Sequence, residues 1–135
     1  MKFRAIRRHG FAMAVCLVSG AAHATGDIGC SGVDGSDATV DLNFGTLPVL
    51  SILNATITTG GKVWTTQAGK GETEIIVGQA AETGNMLIAD FTDANVEQIL
   101  ISLRLFSAEE GGDFVRAGTL TIKDYGAHAV SCEGP

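Results

Sequence analysis

The sequence predicts an all-β fold: a single small antiparallel barrel or sandwich of about eight strands, with its ends tied by a disulfide. Three observations lead to this prediction. Apolar and polar residues alternate along several short segments, glycine-rich turns separate these segments, and no stretch has a convincing helical period. Two cysteines, Cys30 and Cys132, stand near the two ends of this series of segments. Sequential strands joined by tight turns favour an up-and-down order.

Residues 1–24 have the pattern of a secretory signal peptide. The first eight residues include four basic ones, and the apolar run 11–18 is too short to span a bilayer. Ala22 and Ala24 are small residues of the kind that signal peptidase requires. We therefore expect cleavage after Ala24 and a mature domain of residues 25–135, periplasmic or secreted and without a membrane anchor. A membrane anchor formed by the same segment is the alternative.

The charge of the chain limits the classes of partner. The whole sequence carries a net charge of −6, and segment 1–24 contributes four basic residues and no acids, so the mature domain carries −10. Nucleic acid and anionic lipid both require a basic surface, so the sequence argues against them. An acidic surface favours basic partners, divalent cations or simple solubility.

The cysteines of an exported domain form disulfides. Cys16 leaves with the signal peptide, which leaves Cys30 and Cys132 as a pair in an oxidising compartment. The expected bond closes a loop of roughly 100 residues, which the chain-entropy treatment values at about 4–5 kcal/mol.

The strands are predicted in order along the mature domain. Residues 25–37 are rich in Gly, Ser and Asp and are expected to form an extended arm held by the disulfide. Residues 37–44 are the clearest half-buried strand, because apolar and polar residues alternate throughout. Further strands are predicted at residues 49–58, 62–67, 72–79, 86–91, 96–106, 114–123 and 127–132. For segment 96–106 a helix capped by Asn95 remains open, although the period of two favours a strand.

Two turn tips are candidate contact points for a partner. Glu109, Glu110 and Asp113 surround a Gly-Gly pair and place three carboxylates at a hairpin tip. Lys70 lies between two glycines in another turn. The simpler interpretation is that these charged turns only make the protein soluble. The more specific interpretation is that they contact a basic protein, which complementary charge would attract.

Metal binding has one candidate. Asp34, Asp37 and Asp41 lie in or near a glycine-rich segment, and carboxylate oxygens suit calcium. Their spacing departs from that of the EF-hand loop, and no Cys/His cluster suggests zinc. We therefore expect neither a specific metal nor a cofactor, with these three residues as weak calcium candidates.

Catalytic residues are scarce in the mature domain. Its histidine, His128, lies within a predicted strand, where a structural role is the usual one. Asp124 and Ser131 are near it in sequence, but no nucleophile elbow or other signature turn accompanies them. We expect no catalytic site and a protein that is not an enzyme.

The closing segments resemble a known family. Residues 117–122, then Asp124, Tyr125 and Gly126, then residues 130–132 with the terminal cysteine, are similar to the closing hairpin of small envelope inhibitors of C-type lysozymes. The resemblance covers about a sixth of the mature domain, and it implies an eight-stranded antiparallel barrel that blocks a basic enzyme. The Ser-Gly-x-x-Tyr inhibitory motif of that family is not matched, because Gly35 stands where Ser31 and Gly32 would require tyrosine. No inhibitory residue is carried over.

Charge, fold class and the missing catalytic set lead to one functional expectation. We expect an exported, acidic, non-enzymatic binding domain that inhibits a basic hydrolase such as lysozyme. The alternatives are a structural or assembly subunit of the cell envelope and a carrier of a small ligand in the barrel mouth. The sequence does not fix the oligomeric state.

Overall fold

The computed structural model describes residues 25–33, 35–46 and 48–134, in which β-strands are joined by turns. The predicted signal peptide lies outside the described residues. No helix in these ranges has the length and apolar character needed to cross a membrane. The ten strands are β1 (Thr25–Gly32), β2 (Thr39–Gly45), β3 (Ser51–Thr59), β4 (Lys62–Thr65), β5 (Thr73–Glu74), β6 (Ile76–Thr83), β7 (Met86–Thr92), β8 (Ile99–Glu110), β9 (Asp113–Ile122) and β10 (Gly126–Glu133).

The strands form one sheet in the order β5-β4-β3-β2-β1-β10-β9-β8-β7-β6. All pairs are antiparallel except β4 with β5, and the first and last strands are neighbours in the middle of the sheet. The edge strands β5 and β6 are separated in sequence by Ile75 alone, so the sheet curls until its edges come together. The predicted all-β fold is confirmed, and the choice between barrel and sandwich is settled as a nearly closed barrel.

The barrel has two distinct ends and an open seam. Because the strands alternate in direction, Thr25, Gly45, Thr83 and the turn after Glu110 lie at one end, which we call the upper end. The seam lies between β6 and the start of β3, since β4 pairs with β3 only from Thr56 onward.

The inward faces of the strands form a single apolar core. In β2, Val40, Leu42 and Phe44 are buried and alternate with more exposed polar residues, as the sequence predicted. The largest fully buried side chains are Phe91, Ile28, Ile57, Ile75, Ile101, Leu103, Leu105, Leu120, Ile122, Val40 and Val130. Each such burial contributes about 1.5–3 kcal/mol, so this core is the main source of stability.

The start of the domain is a strand, and the prediction of an extended arm for this segment is wrong. β1 pairs with β2 on one side and β10 on the other, so its backbone is held along both edges. Ile28 and Cys30 point into the core. The intervening glycines, which have low strand propensity, conceal this alternation in the sequence.

The predicted strand at residues 72–79 is two strands in the structure. β5 and β6 are separated at Ile75, whose side chain is buried and whose amide donates to the carbonyl of Thr65 at 3.0 Å. The kink at this residue moves the chain from the edge at β4 to the edge beside β7.

The segment predicted as strand 96–106 is a strand from Ile99 onward, and the helical alternative is wrong. Residues 93–98 form a tight loop in which the Asp93 carboxylate accepts the amides of Glu97 and Gln98 at 2.8 and 3.0 Å. The hydrogen bond from the Gln98 amide is the main cause that lowers the pKa of Asp93. Val96 in this loop has a φ of 59°, a left-handed conformation that β-branched residues rarely adopt.

The disulfide between Cys30 and Cys132 is confirmed. The two residues are directly opposite each other on β1 and β10, with Cα atoms 4.0 Å apart. Both cysteines are buried in the core. The bond therefore links the first and last strands where they lie side by side.

Candidate binding surface

The β8–β9 hairpin extends beyond its neighbouring strands at the upper end of the barrel. Pairing with β7 ends at Phe106, and pairing with β10 ends at Arg116. The two strands continue as a two-stranded ribbon over residues 107–115, through to the pair of Glu110 with Asp113. Residues 108–115 are all exposed. We call residues 106–117 the projecting hairpin.

The tip of the projecting hairpin is a two-residue turn. Gly111 and Gly112 have φ values of 60° and 91°, the positive φ at both central positions that a type I′ turn requires. Glu109, Glu110 and Asp113 surround this turn and are exposed. The structure thus brings together the three acids that the sequence singled out.

The outer face of the projecting hairpin is apolar. Phe106, Ala108, Val115 and Ala117 share this face, because Phe106 pairs with Ala117 and Ala108 with Val115. Phe106 is 53 % exposed and Val115 is 64 % exposed. An exposed apolar cluster beside charged residues is typical of a protein–protein contact.

The inner face of the projecting hairpin makes contacts within the hairpin and one contact with the turn between β6 and β7. The Nε of Arg116 donates to Ser107 Oγ at 2.9 Å, and the Phe114 ring lies over the guanidinium at 5.2 Å. The amide of Ser107 donates to the carbonyl of Asn85 at 2.8 Å. A free two-stranded ribbon is marginally stable in water, so the contacts among Arg116, Ser107 and Phe114 support the ribbon itself. The bond to Asn85 and the pairing of its base with β7 and β10 attach the hairpin to the barrel.

Lys70 lies apart from the acidic tip. It occupies an exposed turn in the loop from β4 to β5, next to Gly71 with a φ of 85°. Among the hydrogen bonds and ion pairs of the described residues, none connects Lys70 with the acids of the projecting hairpin.

The calcium candidates have separate surroundings. Asp34 lies outside the described residues. The oxygens of Asp37 accept Thr59 Oγ1 and the amide of Gly60, each at 2.8 Å, and the Thr59 hydrogen bond is the main cause that lowers the pKa of Asp37. Asp41 lies four residues further along, about 13 Å away in an extended chain. Within the described ranges, no three His, Cys, Asp or Glu side chains form a group suited to a metal ion.

His128 pairs with a serine that the sequence did not single out. Ser36 Oγ lies 2.9 Å from His128 Nδ1 and also accepts the amide of Ala38 at 3.2 Å. The Nε2 atom of His128 is buried and has no hydrogen-bond partner among the described residues. The carboxylate of Asp37 is directed at Thr59 and Gly60 instead. The pair holds the loop between β1 and β2 against β10.

Comparison of the chain with protein-family models, curated proteins and solved structures finds no match. The assignment of the projecting hairpin as a binding surface is therefore argued from its geometry alone. The sequence identified its acids but not Phe106 and Val115. An available signal was that Leu105 and Phe106, adjacent in a strand, are both apolar, so one of them had to face outward.

Proposed function

We propose that this domain is an exported, non-enzymatic binding protein that recognises a basic protein through the projecting hairpin. The observation that supports it most is the joint exposure of three tip carboxylates with Phe106 and Val115 on a hairpin fixed to the barrel. A rigid apolar patch loses little conformational entropy on binding, and the surrounding charge selects the partner.

The class of partner follows from charge and shape. A domain with a net charge of −10 attracts basic proteins over long distances, and the tip acids would direct that attraction toward the hairpin. A narrow hairpin with an apolar side suits a cleft more than a flat surface. A basic hydrolase with a cleft, such as the C-type lysozyme implied by the resemblance of the closing segments, is the partner to test.

Binding to hen-type lysozyme tests the proposal. Turnover and binding heat are measured at about 20 mM and 150 mM salt, because ionic screening weakens a charge-directed contact. The test variant is Glu109→Gln/Glu110→Gln/Asp113→Asn. The matched control is Glu74→Gln/Glu97→Gln/Glu133→Gln, which removes the same charge from exposed positions elsewhere.

The hairpin variant is expected to bind at least about tenfold more weakly, with the control within about twofold of the parent protein. Equal losses in the two variants would show that net charge alone attracts the enzyme. Unchanged turnover and no binding heat at stoichiometric excess would exclude lysozyme as the partner.

The apolar side of the surface has its own test. Phe106→Ser/Val115→Ser leaves all charges in place but removes the exposed apolar area. We expect faster dissociation with a similar association rate, since short-range contacts act mainly on dissociation. A dissociation rate equal to that of the parent protein would remove these two residues from the proposed contact.

A further inference from the structure

A second site lies inside the upper end of the barrel, separate from the outer face of the projecting hairpin. A cavity of about 200 Å³ is walled by Ile28, Phe44 and Leu87, with Glu82 and Arg116 among its polar lining residues. The three apolar side chains are buried in the core. The cavity thus combines an apolar wall with a charged group.

Arg116 is the cation of this cavity. It is only 7 % exposed, and guanidinium stays protonated in proteins, so a full positive charge lies at the cavity wall. Its orientation is fixed by the hydrogen bond to Ser107 Oγ and by the ring of Phe114. A guanidinium in a fixed orientation is suited to recognising a carboxylate by a charge-assisted hydrogen bond.

Glu82 is a loosely held counter-ion for Arg116. Its Oε1 lies 3.9 Å from an amino group of Arg116, longer than a hydrogen bond, and its side chain is 45 % exposed. A carboxylate that enters the cavity could therefore replace Glu82 near the guanidinium while Glu82 turns into solvent. The charge balance of the wall would be kept.

The cavity adjoins the seam of the barrel. A groove of about 580 Å³ shares the lining residues Thr46 and Glu82 with the cavity, and it passes between residues 48–50 and residues 80–82. Val49 and Leu50 line one side of this groove and Ala80 and Ala81 the other. An apolar chain longer than the inner cavity could therefore leave along the seam.

We propose that the upper end of the barrel binds a small amphiphile with one carboxylate and an unbranched apolar body. The carboxylate lies on Arg116, the body packs against Ile28, Phe44 and Leu87, and the end of the chain lies in the seam groove. Cavity and groove together have the size of small-molecule sites, which is about 300–1,000 Å³. This site is independent of the hairpin contact with a protein partner.

The test uses the full chain produced in an exporting host and purified with its disulfide formed. Octanoate is the probe, and octan-1-ol, which has the same chain without charge, is the matched control. Calorimetry is the suitable readout, because the single tryptophan, Trp64, is buried near Tyr125 at the other end of the barrel and would report poorly. We expect octanoate to bind at least about tenfold more tightly than octanol.

Two variants with opposite expected effects locate the carboxylate. Arg116→Gln should weaken octanoate at least about tenfold and leave octanol within about twofold, because only the charged head group is affected. Glu82→Gln should tighten octanoate by about threefold or more, because it removes the competing carboxylate from an exposed position where folding is unaffected. Glu74→Gln, an exposed acid elsewhere, should change neither ligand.

Three results would overturn the proposal. They are equal affinities for octanoate and octanol, weaker octanoate binding by Glu82→Gln, and no saturable octanoate binding by either the parent protein or Glu82→Gln. If Arg116→Gln fails to fold, as judged by circular dichroism, the direction of the Glu82→Gln effect decides alone. These outcomes concern octanoate alone and the lysozyme test concerns the acidic tip, Phe106 and Val115, so the two proposals fail separately.

Discussion

Cys30 and Cys132 lie opposite each other on adjacent strands although 102 residues separate them in the sequence. They join the first strand of the barrel to the last, so the chain between them forms a covalently closed ring of strands. Pairing of β1 with β10 requires the longest loop closure in the barrel. The disulfide removes the entropy of that closure from the unfolded state, so its effect on stability should be large.

Reduction of the disulfide should lower the free energy of unfolding by about 4–5 kcal/mol at most. Denaturant unfolding with and without reductant measures this effect. The control is Cys30→Ala/Cys132→Ala, whose midpoint should not respond to reductant. An unchanged midpoint for the parent protein under full reduction would show that β1 and β10 hold together by packing and hydrogen bonds alone.

Gly118 is required by the close approach of β9 to β8. A Cβ atom built on Gly118 would lie 1.8 Å from the carbonyl oxygen of Arg104, which is backbone and cannot move aside. Gly118→Ala should therefore destabilise the domain by more than about 2 kcal/mol. Gly29→Ala is the control, since a Cβ there would meet its nearest neighbour, Asp41 Oδ1, at an ordinary 3.7 Å.

Thermal unfolding of both glycine variants, followed by circular dichroism, checks this expectation. A midpoint for Gly118→Ala equal to that of Gly29→Ala would mean that β8 and β9 separate locally at low cost. The projecting hairpin would then be less firmly held than its pairing with β7 and β10 implies.

The strands could be predicted where apolar and polar residues alternate without interruption. They could not be predicted where glycines stand in place of alternating side chains. The alternation at Val40, Leu42 and Phe44 indicated which face of β2 is buried, and the disulfide was predicted from an expected export signal and an even pair of cysteines. β1 was missed because its pairing is imposed by two neighbouring strands, which local propensity does not reveal.

The candidate surface could be predicted only in part. The acids around Gly111 and Gly112 were visible as a turn, but the extent of the hairpin depends on where β7 and β10 stop. β7 begins at Met86, opposite Phe106, so β8 has no neighbour on that side beyond this pair. Such endings are set by tertiary packing, and no local pattern in the sequence of β8 encodes them.

Val96 should be a site where substitution increases stability. Val96 has a φ of 59°, and this left-handed conformation destabilises the folded state by about 1–2 kcal/mol for a residue other than glycine. Its side chain is 61 % exposed, so a substitution would lose little packing. Val96→Asn should therefore raise the free energy of unfolding by about 0.5–1 kcal/mol, because asparagine tolerates this conformation.

The control for Val96→Asn is Val115→Asn, at a similarly exposed valine in a strand. Asparagine has low strand propensity, so this variant should be neutral or destabilised. Equal effects of the two substitutions in chemical denaturation would show that the loop at residues 93–98 relaxes without strain in solution.

Asp90 and Arg104 should make the stability of the domain depend on acid pH. Arg104 donates to both carboxylate oxygens of Asp90, at 2.8 and 3.0 Å. Burial raises the pKa of Asp90, but hydrogen bonds from Arg104 and Ser102 outweigh burial, so the pKa lies below its ordinary value of 3.8. The charged carboxylate is therefore favoured in the folded state, and its contribution is complete above the unfolded pKa.

Asp90→Asn should lower the free energy of unfolding by about 1–2 kcal/mol near neutral pH, because it removes the charge that pairs with Arg104. Water then solvates part of the Arg104 guanidinium, which limits the loss. Arg104 remains 36 % exposed, which is why the loss is modest. As pH falls below about 4, the carboxylate of the parent protein becomes protonated and the difference between the two proteins should close.

Unfolding measured from about pH 7 down to pH 2 in both proteins, and again with Arg104→Gln present in each, isolates this pair. Without Arg104, Asp90 loses the donors that lower its pKa, so the pH-dependent part of the difference should shrink. A difference that stays constant over the whole pH range would mean that Asp90 is held by its position in β7 and that its charge contributes nothing to folding.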